Sequence, residues 1–270
     1  MSKLIAATGA TSTASEPRIG FETQGGGQWT EWDRYITLDG KRAFHIGNIC
    51  GTCAFIFERL EAANDKVSPK ELSDRLRQGL TQIDDDVVRT ATSVLSAGSY
   101  HALLVKCVPR LVFPSQTGDY FFDEQLALWG LDGFWGVPHY TNAEYYRTGL
   151  AKMGNGRGLF EFVIPMFPKN YLRADTIHSY KDAFAHEALP TALAVSILDV
   201  KGPADWKGNP ELTEHWCLSH YLFDGHHKVY AAAELGVPVS ILSFLAPEKG
   251  VASGEQVAQT IETLKRDDWR

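Results

Sequence analysis

A chain of 270 residues, 44% hydrophobic and 11% aromatic, can bury a sizeable core, which excludes a disordered or fibrous protein. A formal net charge of −7 and no Lys/Arg run longer than Lys41-Arg42 argue against a broad phosphate-backbone footprint, so nucleic acid is a secondary expectation. No apolar run approaches the ~18 residues that span a bilayer, Met1–Ala7 is too short for a secretory segment, and four cysteines are no disulfide framework, so a cytoplasmic protein with no membrane partner is expected.

Residues 1–28 are rich in Ser, Thr and Gly, end in Gly25-Gly26-Gly27, and are expected to form a flexible N-terminal arm. An α+β region is expected over 29–158. Tyr35–Leu38 and Ala43–Ile46 flank Asp39-Gly40, a hairpin signal, because Gly accepts the positive φ of a tight primed turn. After His45 comes Cys50-Gly51-Thr52-Cys53, placed between a strand and an apolar helical pattern through Phe55, Ile56 and Leu60. Three readings stay open for it. A helix N-terminus would lower the pKa of Cys50 in a redox dithiol; a structural zinc would take Cys50 and Cys53 and borrow from His45, Cys217 and His220; or the thiols are partly buried and inert. Cys217 and His220, three apart in a strand, face opposite sides and share a metal only across a turn.

Ser68-Pro69-Lys70-Glu71 has the pattern of a capping box with Pro at the first helical position and predicts a helix to Leu80. A second helix is expected from Asp84 to Leu95, with Asp84-Asp85-Asp86 read as an acidic first turn rather than a Mg²⁺ site. Leu103–Val108 and Arg110–Phe113 read as a strand interrupted by Pro109, with Cys107 in the core. Tyr120-Phe121-Phe122, Trp129, Phe134 and Trp135 also read as core, and Gly154–Gly158 as a loop.

Phe162–Pro165 reads as a strand, Asp175 as the cap of a helix with Ile177, Tyr180 and Phe184 on its apolar face, and Thr191–Val200 as another strand. An apolar strand through Leu222-Phe223 then breaks at Asp224-Gly225 and opens a helix with His226, His227 and Lys228 in its first turn. That is the shape of an anion site: Gly225 lets the backbone turn sharply, first-turn N–H groups point outward, and three cationic donors stand beside them. Asp224 is placed as N-cap, Val229, Ala232 and Ala233 as the packed face, and Gly236 as the stop. Val237–Leu245 follows as a strand, and Ser253 caps a closing helix.

Asp224-Gly225-His226-His227-Lys228, with the following Ala and Leu-Gly residues, resembles the Asp-Gly-His-His-Arg signature of the ParB/sulfiredoxin-like superfamily. The order of elements before it agrees, and the resemblance covers about a third of the chain, Glu161 to Leu245. It implies a mixed α/β fold with a ParB/sulfiredoxin-like domain over 159–270, binding a nucleotide such as ATP, ADP or CTP, with Mg²⁺, at Gly225, His226, His227 and Lys228. It also implies phosphotransfer or phosphate-ester hydrolysis on a small molecule, with Asp224, His226 and His227 as the candidate catalytic residues. A nucleotide-sensing or DNA-associated module without turnover and a nuclease-like phosphodiesterase are the alternatives. Two departures matter. The sulfiredoxin thiol is replaced by His226, which removes that chemistry, and Lys228 replaces Arg, which keeps charge but loses the bidentate fork. An insertion rich in Gly, Pro and Trp, Gly202–Trp216, is expected to overhang the site as a lid or to decorate its edge.

Overall fold

The computed structural model describes residues 1–131, 141–204 and 210–266. In chain order the strands are β1 (Lys3–Ser12), β2 (Ile19–Gly26), β3 (Trp29–Leu38), β4 (Lys41–Asn48), β5 (Glu58–Arg59), β6 (Gly98–Cys107), β7 (Arg110–Val112), β8 (Tyr145–Gly154), β9 (Arg157–Pro165), β10 (Thr191–Lys201), β11 (Glu214–Asp224) and β12 (Val239–Leu245). The helices are α1 (Ser73–Gln78), α2 (Asp85–Thr92), α3 (Glu124–Trp129), α4 (Ala174–Ala185), α5 (His226–Leu235) and α6 (Gly254–Leu264). Eight strands form one sheet in the order β1-β6-β12-β10-β11-β9-β8-β7, and β2-β3-β4-β5 form a second. The large sheet is mixed: β10 runs parallel to β12 and β11 parallel to β9, while β10 and β11 are antiparallel.

Both faces of the large sheet are covered, so its central strands are apolar almost throughout, as expected of strands buried on two sides. On one face Leu193, Val195, Cys217, Tyr221, Phe160 and Phe162 pack against the small sheet, α1 and α2. On the other, Ala192, Ala194, Leu218, Leu222 and Val163 pack against α5 and α6. The aromatic residues Tyr120 and Phe121 are fully buried in the first of these cores. Phe134 and Trp135 lie outside the described residues.

Several elements depart from the sequence reading. Residues 1–28 are no loose arm: β1 pairs along its length with β6, and β2 with β3. Ser, Thr and Gly suppressed the hydrophobic alternation there, yet Leu4, Ala10 and Ser12 are buried and the ladder bonds are backbone. The boundary drawn at 158/159 falls in β9 of the β8–β9 hairpin, and β1, β6, β7 and β8 share the large sheet with the C-terminal strands, so the large sheet runs across that boundary. Phe55–Leu60 holds no helix; it carries β5, and in the aromatic core Phe55 stacks on Phe121 and Phe162 while Phe57 packs edge-on against Phe121. The segment after Ser68 begins as a 3₁₀ turn at Lys70–Leu72 before α1, with no side-chain cap. Asp39-Gly40 does form the β3–β4 turn, with φ of 50° and 74°, and Ser253 makes the full capping box of α6.

Candidate anion-binding site

Strands β9 and β11, parallel to each other, both end at one edge of the sheet, at Pro165 and Asp224. Thr191, the first residue of β10, lies at the same edge. Gly225 turns the chain there with φ +90°. A Cβ at this position would sit 2.5 Å from the Cβ of Ala192 and 2.7 Å from its Cα, so both the backbone angle and the close approach require glycine. Helix α5 starts at once, with Gly225 as N-cap and no side-chain cap. Its first-turn N–H groups have no intrahelical acceptor, and the positive end of the helix faces the same way.

A pocket of about 490 Å³ opens over this turn. Arg18, Lys66, Lys70, Arg77, Arg173 and Lys228 line it together with His226 and His227, and Asp224 is the one carboxylate among its described lining residues. Arg18 is paired with Asp39 at 2.7 Å and Arg173 with Asp175 at 2.5 Å, whereas Lys66, Lys70 and Arg77 have no ion-pair partner among the described residues. In a chain of net charge −7, such a concentration of cations favours an anionic occupant.

The motif side chains are largely committed to the scaffold. His226 is buried and stacks on Phe167 at 3.9 Å between ring centroids. Its Nε2 accepts the Met166 N–H at 3.0 Å, and burial pushes its pKa down to about 3. His227 is half-buried; its Nε2 accepts the Arg173 N–H at 2.9 Å, and burial, then Lys66 and Arg173, lower its pKa. Both imidazoles are therefore neutral near pH 7, against the expectation that they add positive charge. Lys228 is buried as well, donating from Nζ to the Thr191 carbonyl at 2.7 Å and lying 3.6 Å from Asp224. Asp224 does not cap α5: it accepts from Ser68 Oγ at 2.5 Å, because the chain reverses at Gly225 and turns its carboxylate toward the 66–70 segment. Asp175 lies within the first turn of α4, whose N-cap is Arg173, rather than capping it. For Mg²⁺ the pocket offers this single carboxylate, so a bound cation would draw its other ligands from phosphate oxygens and water.

As far as it is described, at 202–204 and 210–216, the Gly202–Trp216 insertion lies away from the pocket. It joins the far ends of β10 and β11, about 33 Å of strand away from Gly225; residues 205–209 lie outside the described residues, and Trp216 is a core residue of β11.

The proposed metal ligands are dispersed. His45 lies between Asp33 (3.1 Å) and Glu58 (3.4 Å) on the small sheet. Cys217 is buried against the Tyr120 hydroxyl at 3.7 Å, and burial raises its pKa. His220 faces the opposite side of β11, as the period of two requires. No group of three His, Cys, Asp or Glu among the described residues is placed to hold a metal. His220 instead centres a buried polar row across the sheet: its Nε2 meets Glu161 at 3.1 Å, its Nδ1 meets Ser196 at 2.6 Å and Ser243 at 3.0 Å, and Thr148 closes on Glu161. The composition is that of a nucleophilic triad, but His220, Glu161 and both serines have no exposed surface, so no substrate reaches it and its role is to order five strands. These partners hold Glu161 down to about 2 against the opposing effect of burial.

Sequence reasoning found the Gly225 turn and missed the cations around it. Arg18 stood in the supposed arm, Lys66 just before a supposed helix and Lys70 and Arg77 on it, and Arg173 before another helix. No linear signal joins them. No protein-family model matches the chain, and no curated protein or solved structure matches it either.

Proposed function

We propose that this chain binds a phosphorylated small molecule of the nucleotide class over Gly225–Lys228, in a ParB/sulfiredoxin-like manner, and acts on it by phosphotransfer or phosphate-ester hydrolysis. The single observation that carries the reading is the coincidence of a glycine-forced helix N-terminus with five further basic side chains in one pocket. In this reading the α5 N–H groups hold phosphate oxygens together with Lys66, Lys70 and Arg77, which have no ion-pair partner among the described residues, while Lys228 fixes the turn to β10 and lends it charge. Asp224, joined to Ser68, orients a nucleophile or a phosphate-bound Mg²⁺.

A second reading, a nucleotide sensor without turnover, gains from the same geometry. His226 and His227 already spend their Nε2 lone pairs on backbone N–H groups, which leaves Asp224 as the pocket's one evident base. Calorimetric titration with ATP and CTP, paired with an assay for released phosphate, separates the two. Binding with phosphate release that Asp224→Asn abolishes supports the enzyme, binding without release supports the sensor, and no heat with either nucleotide defeats both.

A further inference from the structure

The other end of β10 carries a second centre, and nothing in the anion pocket bears on it. Gly51 and Thr52 form a turn with Cys50 and Cys53 at its two ends. A β-turn keeps its first and fourth Cα atoms within about 7 Å, the span that a disulfide bridges. Both thiols are free and half-buried. The turn is strapped to its surroundings on three sides: the Gly51 carbonyl accepts from Gly202 N–H at 3.0 Å, the Cys50 carbonyl from Lys201 Nζ at 2.6 Å, and the Thr52 carbonyl from Trp129 Nε1 at 3.2 Å.

The two sulfurs differ. Cys50 Sγ lies 3.2 Å from the Thr52 hydroxyl, and although burial opposes it, hydrogen bonds from Cys53 and Thr52 bring its pKa below the usual thiol value. Burial, with Cys50 adding to it, pushes Cys53 up to about 11. No helix follows the turn, so the helix-dipole argument for Cys50 gives way to local hydrogen bonds. The buried ammonium of Lys201 acts on both thiols; it favours anionic sulfur and repels a divalent cation, which weighs against zinc.

We propose that Cys50 and Cys53 are a dithiol/disulfide couple that exchanges with low-molecular-weight disulfides, Cys50 attacking and Cys53 resolving. The Cys50 thiolate attacks one sulfur of the external disulfide, forming a mixed disulfide and expelling one thiolate. Cys53 then gives up its proton to solvent and attacks the Cys50 sulfur, closing the internal bond and expelling the second thiolate. The two cysteines lose two electrons, and the external disulfide gains them and leaves as two thiols.

Glutathione disulfide is the probe: the full chain is incubated with it, acid-quenched and denatured, and the remaining thiols are alkylated before intact-mass and peptide analysis. Two of the four thiols are then protected, and the peptide spanning 50–53 is lighter by two hydrogens and free of glutathione. Cys53→Ser retains one glutathione on Cys50, and Cys50→Ser reacts at least about tenfold more slowly. Melting curves confirm that both variants are folded. Four alkylatable thiols in the treated wild type, or a lasting glutathione on wild-type Cys50, would overturn the proposal.

Discussion

Strand β10 has a buried lysine against each end. At Thr191 the Lys228 ammonium holds the backbone carbonyl beneath a pocket of cations; at Lys201, the strand's last residue, the ammonium holds the Cys50 carbonyl beneath two thiols. Each lysine is tied to a carbonyl, and burial lowers the pKa of each. The surroundings differ: five basic side chains that favour an anion at one end, two sulfurs whose ionisation the charge eases at the other. A buried lysine thus fixes a turn in both places, and its neighbours decide the chemistry.

The ends are joined through the polar row on β10 and β11, and breaking it is expected to have the largest effect. His220→Ala leaves the buried Glu161 carboxylate without its histidine partner, with only Thr148 and the Ser2 N–H still bonded to it, which should cost about 3–5 kcal/mol in denaturant unfolding and lower both ends together. A cost below about 1 kcal/mol would mean that the row does not carry the sheet.

Acid treats the ends alike. His226 at the pocket and His215 near the dithiol both have pKa values pushed down to about 3 by burial. The unfolded chain therefore takes up these protons first, and stability falls as pH drops below about 6.5 toward 3. By pH 5 each histidine should have cost about 2 kcal/mol, well above the range where Glu161 titrates. His226→Gln and His215→Gln should each remove about half of this slope, and an unchanged slope in either variant contradicts the assignment.

Gly225→Ala separates the ends. A left-handed φ and overlap with Ala192 should cost about 3 kcal/mol and abolish nucleotide binding, while alkylation of Cys50 in the folded protein keeps its rate. Smallest in energy, Lys70→Ala or Arg77→Ala should leave stability within about 0.5 kcal/mol and weaken nucleotide binding about tenfold, or about 1.4 kcal/mol. Binding that is insensitive to both would place the ligand elsewhere.

Much of the scaffold was legible in the sequence. Continuous apolar runs gave β10, the Leu222-Phe223 end of β11, and β12, Asp39-Gly40 gave a hairpin, and Gly225 and Gly236 bracketed α5. Those signals are local, so one sequence carries them. The pocket's charge is not local: Arg18, Lys66, Arg77 and Arg173 meet only because β2, the 66–70 segment, α1 and α4 converge on the end of β11. The roles of Ser68 and His226 were hidden for the same reason, since each answers to a partner more than fifty residues away, Asp224 and the Met166 N–H. A Ser/Thr/Gly-rich start read as loose because backbone pairing with β6 leaves no side-chain signature.

The most direct test of the anion pocket is thermal stabilisation by ATP, ADP, CTP and GTP, with and without Mg²⁺, for wild type beside His227→Ala and Lys66→Ala/Arg77→Ala. Ligand that binds only the native state raises its melting temperature, by an amount equivalent to about 2.7 kcal/mol at a hundredfold excess over Kd. The pocket predicts a shift with at least one nucleotide, reduced by His227→Ala and lost in the double variant. No shift with any of the four, or an equal shift in the double variant, would contradict it.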